Sequence, residues 1–235
     1  MNANAARIDL VEAIRYPFRE ERWPVKAGIL ALLATIPILN FVVVGYEVEI
    51  ARRVGLGQTP AMPEWDDLAG HFRQGLRLAL ARYVYNLPIL LVAGAVGAGA
   101  ILVLVAAADS EFQFPLLMAI LGGGFGLLLG MVFVVGAISP AVTVQYLQGK
   151  TFASCFDFAA ISAHVRRRPS AYLSVLAYYL VLSFGLLAVV FPVSMALAFI
   201  PCVGPLAQIV VTMAMILVLV LALAHLEGQL LRAIQ

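Results

Sequence analysis

The chain has 235 residues, of which 63% are hydrophobic and only 12% charged, with a formal net charge of +2. A soluble domain carries roughly 25% charged residues, and a soluble chain this oily would expose large apolar patches and aggregate. The small net charge, with no single basic tract, also excludes nucleic acid as an expected partner.

Residues 1–23 carry four acids and four arginines and no apolar core before Ala27, which is not the pattern of a cleavable signal. Asp9 and Glu12 form a capping box that opens a short helix, and Pro17 closes it. Ile8, Val11, Ile14 and Phe18 fall broadly on one side. The expectation is an amphipathic segment over 1–23 that rests on the membrane surface with its arginines toward lipid phosphate.

The next feature is an uncharged run, Ala27 to Tyr46, just long enough for one span of roughly 20 residues. Pro37 and Asn40 break it in the middle. As a simple span it would carry five basic residues of the N-terminal segment across the membrane. As a re-entrant hairpin it keeps all fifteen basic residues on one face, and charge bias favours the hairpin.

Two surface helices are expected on that face. Pro60 and Pro63 introduce Glu64, Trp65, Asp66 and Asp67, and Trp65, Leu68, Phe72, Leu76 and Ala79 follow helical spacing, with Arg73 and Arg77 on another side. The second begins with Thr151 as N-cap, carries Phe152, Phe156, Ala159 and Ala163 on one stripe, and closes at Arg166, Arg167, Arg168 and Pro169.

Four full spans then follow, at about 83–108, 112–147, 171–199 and 205–226. The longest uncharged stretch, Pro169 to Ala224, covers 56 residues and crosses twice. The connectors around Asp109 and Glu111, and around Pro201 to Pro205, contain no basic residue. The fold class is therefore all-α: a polytopic transmembrane helical bundle of four full spans plus an N-terminal broken hairpin, with amphipathic helices on the cytoplasmic side. Residues 24–235 form the membrane domain. Both termini are expected to be cytoplasmic, and the expected location is the cytoplasmic membrane. The pairs Trp65-Asp66 and Phe156-Asp157, and the breaks Ile36-Pro37 and Ile200-Pro201, hint at an internal repeat of 36–108 and 139–200.

The order of short motifs resembles one family. Residues 13–19 (Ala-Ile-Arg-Tyr-Pro-Phe-Arg), 36–40 (Ile-Pro-Ile-Leu-Asn), 49–53 (Glu-Ile-Ala-Arg-Arg) and 63–67 (Pro-Glu-Trp-Asp-Asp) come first. Residues 200–204 (Ile-Pro-Cys-Val-Gly) and 224–229 (Ala-His-Leu-Glu-Gly-Gln) follow. This is similar to the DUF4013 family of bacterial and archaeal membrane proteins. The resemblance implies a multi-helix membrane protein and carries over no activity and no site residues. Asn40 stands where the second break has Gly204.

The residues that bear chemistry are few. Glu47 and Glu49 are expected to pair with Arg52 and Arg53, three to five residues away. Arg82, with Tyr83, Tyr85 and Asn86, marks an interface, and either Asn86 or a neighbouring helix is expected to satisfy the carbonyl that Pro88 frees. His71 and His164 are expected to face solvent, and His225 to bond backbone or lipid. The three histidines lack any ligand spacing, so no metal is expected. Cys155 and Cys202 fall on opposite faces and are not expected to pair. Gly122, Gly126 and Gly130, spaced by four, align on one face of the second long span, and Ala93, Gly94, Gly97 and Ala98 offer comparable faces on the first. Packing of these two spans on each other is the favoured reading, and self-association or docking on another subunit the alternative. Trp65, Arg73, Arg77, Arg166, Arg167 and Arg168 are the expected lipid-interface residues.

No nucleophile, acid–base pair or phosphate loop stands out, so the protein is expected not to be an enzyme and to need no cofactor. Packing faces and scarce buried charge suggest a non-catalytic accessory or scaffold subunit. Its partners would be membrane lipids and other integral membrane subunits, or a second copy of itself. The alternative is a small transporter or channel, suggested by the breaks at Pro37 and Pro201.

Overall fold

A computed structural model describes residues 8–59, 62–107, 110–200 and 203–235. The helices are α1 (Leu10–Arg15), α2 (Trp23–Thr35), α3 (Asn40–Gly55), α4 (Leu68–Ala106), α5 (Gln113–Gly149), α6 (Phe158–Arg167), α7 (Pro169–Ala198) and α8 (Val203–Ile234). No strand occurs among the described residues. Asp109, Pro60, Pro201 and Cys202, which enter the sequence reading, lie outside them.

Four helices, α4, α5, α7 and α8, are long and apolar enough to cross a membrane, with 39, 37, 30 and 32 residues. At 1.5 Å per residue α4 and α5 are about 58 and 55 Å long, nearly twice a hydrocarbon layer of about 30 Å. Burial along them shows where the excess goes. The most apolar stretches of α4, α5 and α7 are almost wholly unburied within the chain. The buried residues of α5 run instead from Pro140 to Leu147, and those of α8 concentrate between Leu217 and Ile234. Both helices thus become a protein core at their C-terminal ends.

The chain divides into two compact units, Met1–Ala79 with Pro140–Gln235, and Leu80–Ser139. In the first, α8 is the central helix, with α1, α2, α3 and α7 packed on it. Tyr16, Leu30, Val43, Tyr46, Ile50, Val54, Met62, Leu217 and Leu221 make up its core. The second unit is a hairpin of the remaining parts of α4 and α5. There a Cβ placed on Gly124 would lie 2.5 Å from Val96, and one on Gly99 would lie 3.7 Å from Ile120.

The break in the first apolar run is present. α2 ends at Thr35, a turn covers residues 36–39, and α3 begins at Asn40. Neither arm reaches 18 residues, which fits a folded-back pair better than one straight span. The two breaks share local bonding. Ile36 N–H donates to the Leu33 carbonyl and Asn40 N–H to that of Ile36, at 3.3 and 2.9 Å; Ile200 N–H donates to Leu197 and Gly204 N–H to Ile200, both at 3.0 Å. The second requires glycine, because a Cβ on Gly204 would collide with the Leu197 carbonyl oxygen.

Three expectations about the surface helices are corrected. The segment 68–79 is not a separate helix but the first three turns of α4, continuous with the span. Its start is fixed by Asp67, whose carboxylate accepts from Gly70 N–H at 2.8 Å. The second surface helix is capped by Asp157, which accepts from Ala160 N–H at 2.9 Å, whereas Thr151 serves only a 3-10 turn over Ala153–Phe156. Its buried residues are Ile161 and His164, and Phe152 and Phe158 are exposed. α1 is capped as expected, with the Asp9 carboxylate accepting from Glu12 N–H at 3.0 Å, but it packs on α8 rather than lying on lipid alone. Ala13 of α1 is buried, as are Ile8 before it and Tyr16 after it, while Val11 and Phe18 are exposed.

Candidate functional site

All three histidines and most buried ionisable groups lie in the first unit, on α2, α3, the start of α4, α6 and the end of α8. This polar end is the candidate site. One layer joins α1 to α8. The Gln229 carbonyl oxygen accepts from Asp9 N–H at 2.6 Å, and its amide nitrogen donates to the Asp9 carbonyl at 3.0 Å. These two backbone groups fix which way the amide points. Its nitrogen also lies 2.9 Å from His225 Nδ1, so Nδ1 must accept and the imidazole is the neutral Nε2–H tautomer. His225 stacks on Tyr16 at 4.4 Å, and the Tyr16 hydroxyl donates to the Leu221 carbonyl at 3.1 Å. Burial holds the Tyr16 pKa well above 10.0.

A second layer centres on Lys26, which is 2% exposed. Its ammonium donates to Glu20, to Glu64 at 2.8 Å and to the Met62 carbonyl at 3.3 Å, tying α2 to the segment before α4. The hydrogen bond and charge of Lys26 hold the Glu64 pKa below the usual carboxylate value. Glu49 is buried and pairs with Arg52 at 2.8 Å and Arg53 at 3.0 Å, as the spacing predicts. The Arg232 guanidinium donates to the Val54 carbonyl and holds the C-terminal turn of α8 to α3.

Aromatic rings form the third group. Trp65 stacks on Tyr46 at 4.5 Å, and His71 meets both edge-on, at 5.8 and 6.4 Å. The Tyr46 hydroxyl donates to the Pro63 carbonyl at 2.9 Å, while Trp65 Nε1 and both His71 ring nitrogens are buried without a hydrogen-bond partner among the described residues. Trp65 is half-buried and packs on Tyr46, and His71 is buried and does not face solvent as expected. Their burial depends on where α3 crosses α4, which no local pattern encodes.

The last group surrounds the end of α5. His164 of α6 lies 2.6 Å from the Gln145 side-chain oxygen through Nε2, and its Nδ1 is buried without a hydrogen-bond partner among the described residues. The Tyr146 hydroxyl donates to the Gln74 carbonyl at 3.1 Å, and Arg77 to that of Lys150 at 3.5 Å. Burial first, and Arg167 second, lower the His164 pKa from 6.5. A lowered folded-state pKa gives stability that is complete above about 6.5 and is lost as pH falls through the lowered value. Acidification below that point is expected to loosen α6 from α5, seen as faster amide exchange in Phe158–Arg167. His164→Gln should remove that pH dependence, and an equal response in the variant would refute it.

The sequence-picked glycines are not packed within the chain. Gly97, Gly122, Gly126 and Gly130 are exposed, and a Cβ on any of them would meet nothing within 4 Å. Their expected role in joining the two spans is corrected: Gly124 and Gly99 hold that position. The close crossings lie elsewhere. A Cβ on Gly45 would strike the His71 carbonyl, and one on Gly75 the Phe41 carbonyl; one on Gly228 would lie 2.6 Å from the Ala51 carbonyl oxygen. These glycines are isolated in sequence, and only the crossing pairs them. Of the two expected sources of a donor for the carbonyl freed by Pro88, Asn86 is directed elsewhere: its amide donates to the Arg82 carbonyl at 2.7 Å, one turn back from itself.

Among the described residues no group of three His, Cys, Asp or Glu side chains is placed to hold a metal. The polar end is built of caps, ion pairs and ring contacts that fasten helices together. Fold and site together define a multi-pass helical membrane protein with a fastened polar end. The family model described as a protein of unknown function, DUF4013, matches residues 29–199, and the chain belongs to that family. The motifs at 13–19 and 200–229 lie outside the matched region. No curated protein and no solved structure matches the chain.

Proposed function

We propose that this protein is a non-catalytic scaffold or accessory subunit of a larger membrane assembly. The observation that carries the reading is the open face of the Leu80–Ser139 hairpin. Gly97, Gly122, Gly126 and Gly130 have space where a neighbouring helix would pack. Such faces support close helix approach, which in lipid is driven by van der Waals fit. The buried groups of the polar end are mostly held in internal pairs, which supports a fastening role for them. With the cations on one flank, the positive-inside tendency assigns that flank to the cytoplasm.

Crosslinking in native membranes followed by mild-detergent purification tests this. The reading expects a discrete adduct with another integral membrane protein or a second copy, lost in Gly126→Ile while thermal stability is kept. Recovery of only the isolated chain in both cases would contradict it. The helix breaks at 36–39 and after Ile200 favour a transporter as the second reading, since interrupted helices expose backbone to substrates. Solute flux in proteoliposomes containing the chain alone would favour that alternative.

A further inference from the structure

Besides Arg15, Arg22 and Arg232, two sets of cations stand out at the polar end. Arg19, Lys26, Arg52 and Arg53 are paired with Glu12, Glu20, Glu64 and Glu49. Arg73, Arg77, Lys150, Arg166, Arg167 and Arg168 make no ion pair among the described residues, and all are exposed. The second set belongs to three elements that meet at one place. Tyr146 and Lys150 at the end of α5 are bonded to Gln74 and Arg77 of α4, and Gln145 is bonded to His164 of α6. Three arginines, Arg166 to Arg168, begin two residues after His164.

Depth fixes what these cations face. Arg168 precedes Pro169, the first residue of α7, and α7 is a bilayer-length helix whose most apolar stretch is wholly unburied within the chain. The arginines therefore sit where hydrocarbon gives way to headgroups. Phe152 and Phe158, 41% and 63% exposed on the segment leading into α6, add apolar surface suited to the same boundary. Guanidinium groups bind phosphate with paired donors, and the arginines here have no carboxylate to satisfy them.

We infer that Arg77, Lys150 and Arg166 to Arg168 form a collar that binds the headgroups of anionic phospholipids in preference to zwitterionic ones. Trp65 and the paired cations take no part. Each basic group near an anionic surface contributes roughly a fivefold preference, the equivalent of about 1 kcal/mol.

The test reconstitutes the full chain in phosphatidylcholine vesicles with spin-labelled phosphatidylglycerol or phosphatidylcholine, and measures the ratio of motionally restricted lipid. Wild type is expected to favour phosphatidylglycerol by roughly fivefold or more. The triple variant Arg166→Gln, Arg167→Gln, Arg168→Gln should fall toward a ratio of one, and the corresponding lysine triple should retain most of the preference. Arg77→Gln, a milder change, should lose part of it, and Arg19→Gln none. Free glycerol phosphate should not compete, since the apolar flank requires a lipid. A wild-type ratio of one would overturn the inference and leave the collar to an acidic protein partner. Unchanged selectivity in the triple variant, or an equal loss in Arg19→Gln, would overturn it as well.

Discussion

Replacing Gly45 by alanine is expected to destabilise the protein by about 3 kcal/mol, the upper end for overpacking a well-filled site. The added methyl would strike the carbonyl of His71, and one turn away Gly75 meets the carbonyl of Phe41 in the same fashion. Backbone cannot rotate aside as a side chain can, so α3 and α4 would have to separate. That separation would also pull His71 from Tyr46 and Trp65. Gly126→Ala is the contrast. Its Cβ meets nothing, so the change should be neutral or stabilise by up to about 1 kcal/mol through helix propensity. Thermal unfolding of both variants in one detergent reads the difference. Equal melting temperatures would show that α3 and α4 do not cross at these glycines.

The second large effect is expected at Lys26. Lys26→Met removes the charge that Glu20, Glu64 and the Met62 carbonyl share, and leaves a partly buried carboxylate with no counter-charge. Breaking a buried pair from one side costs about 3–5 kcal/mol; because Glu64 is largely exposed, about 2–3 kcal/mol is expected here. The double change of Lys26→Met with Glu20→Gln should recover part of the loss, since the isolated charge is what costs most. The bridge has its own pH dependence. Glu64 titrates below its ordinary value of 4.5, so its stabilisation is complete above that pH and disappears as pH falls through the lowered pKa. If Lys26→Met melted like wild type at neutral pH, the pairing would have no role in holding α2.

What the sequence could show depends on the range of each interaction. Pro37 stops a helix by its own geometry, so the break between α2 and α3 was legible locally. The Glu49 pairs with Arg52 and Arg53 were legible because both partners lie within one turn. The join of 68–79 with the following span was not. Charged surface turns and apolar membrane turns differ in composition, yet nothing between Ala79 and Leu80 interrupts the hydrogen-bond ladder. The packing glycines were missed for a related reason. A spacing of four gives a flat face at Gly122, Gly126 and Gly130 without saying what meets it. Gly45 and Gly75 form no pattern until two helices cross. The burial of His71, His164 and His225 likewise depends on neighbours distant in sequence.

The account rests on one proposed arrangement, with every basic segment on a single flank of the membrane. Thiol labelling in sealed vesicles tests it most directly, with Cys155 and Cys202 replaced by serine and single cysteines placed at Gln58, Lys150, Gln235 and Ser110. The first three are predicted to react with an impermeant reagent from one side, and Ser110 only from the other. Labelling of Gln58 from the same side as Ser110, with Lys150 on the opposite side, would contradict the arrangement.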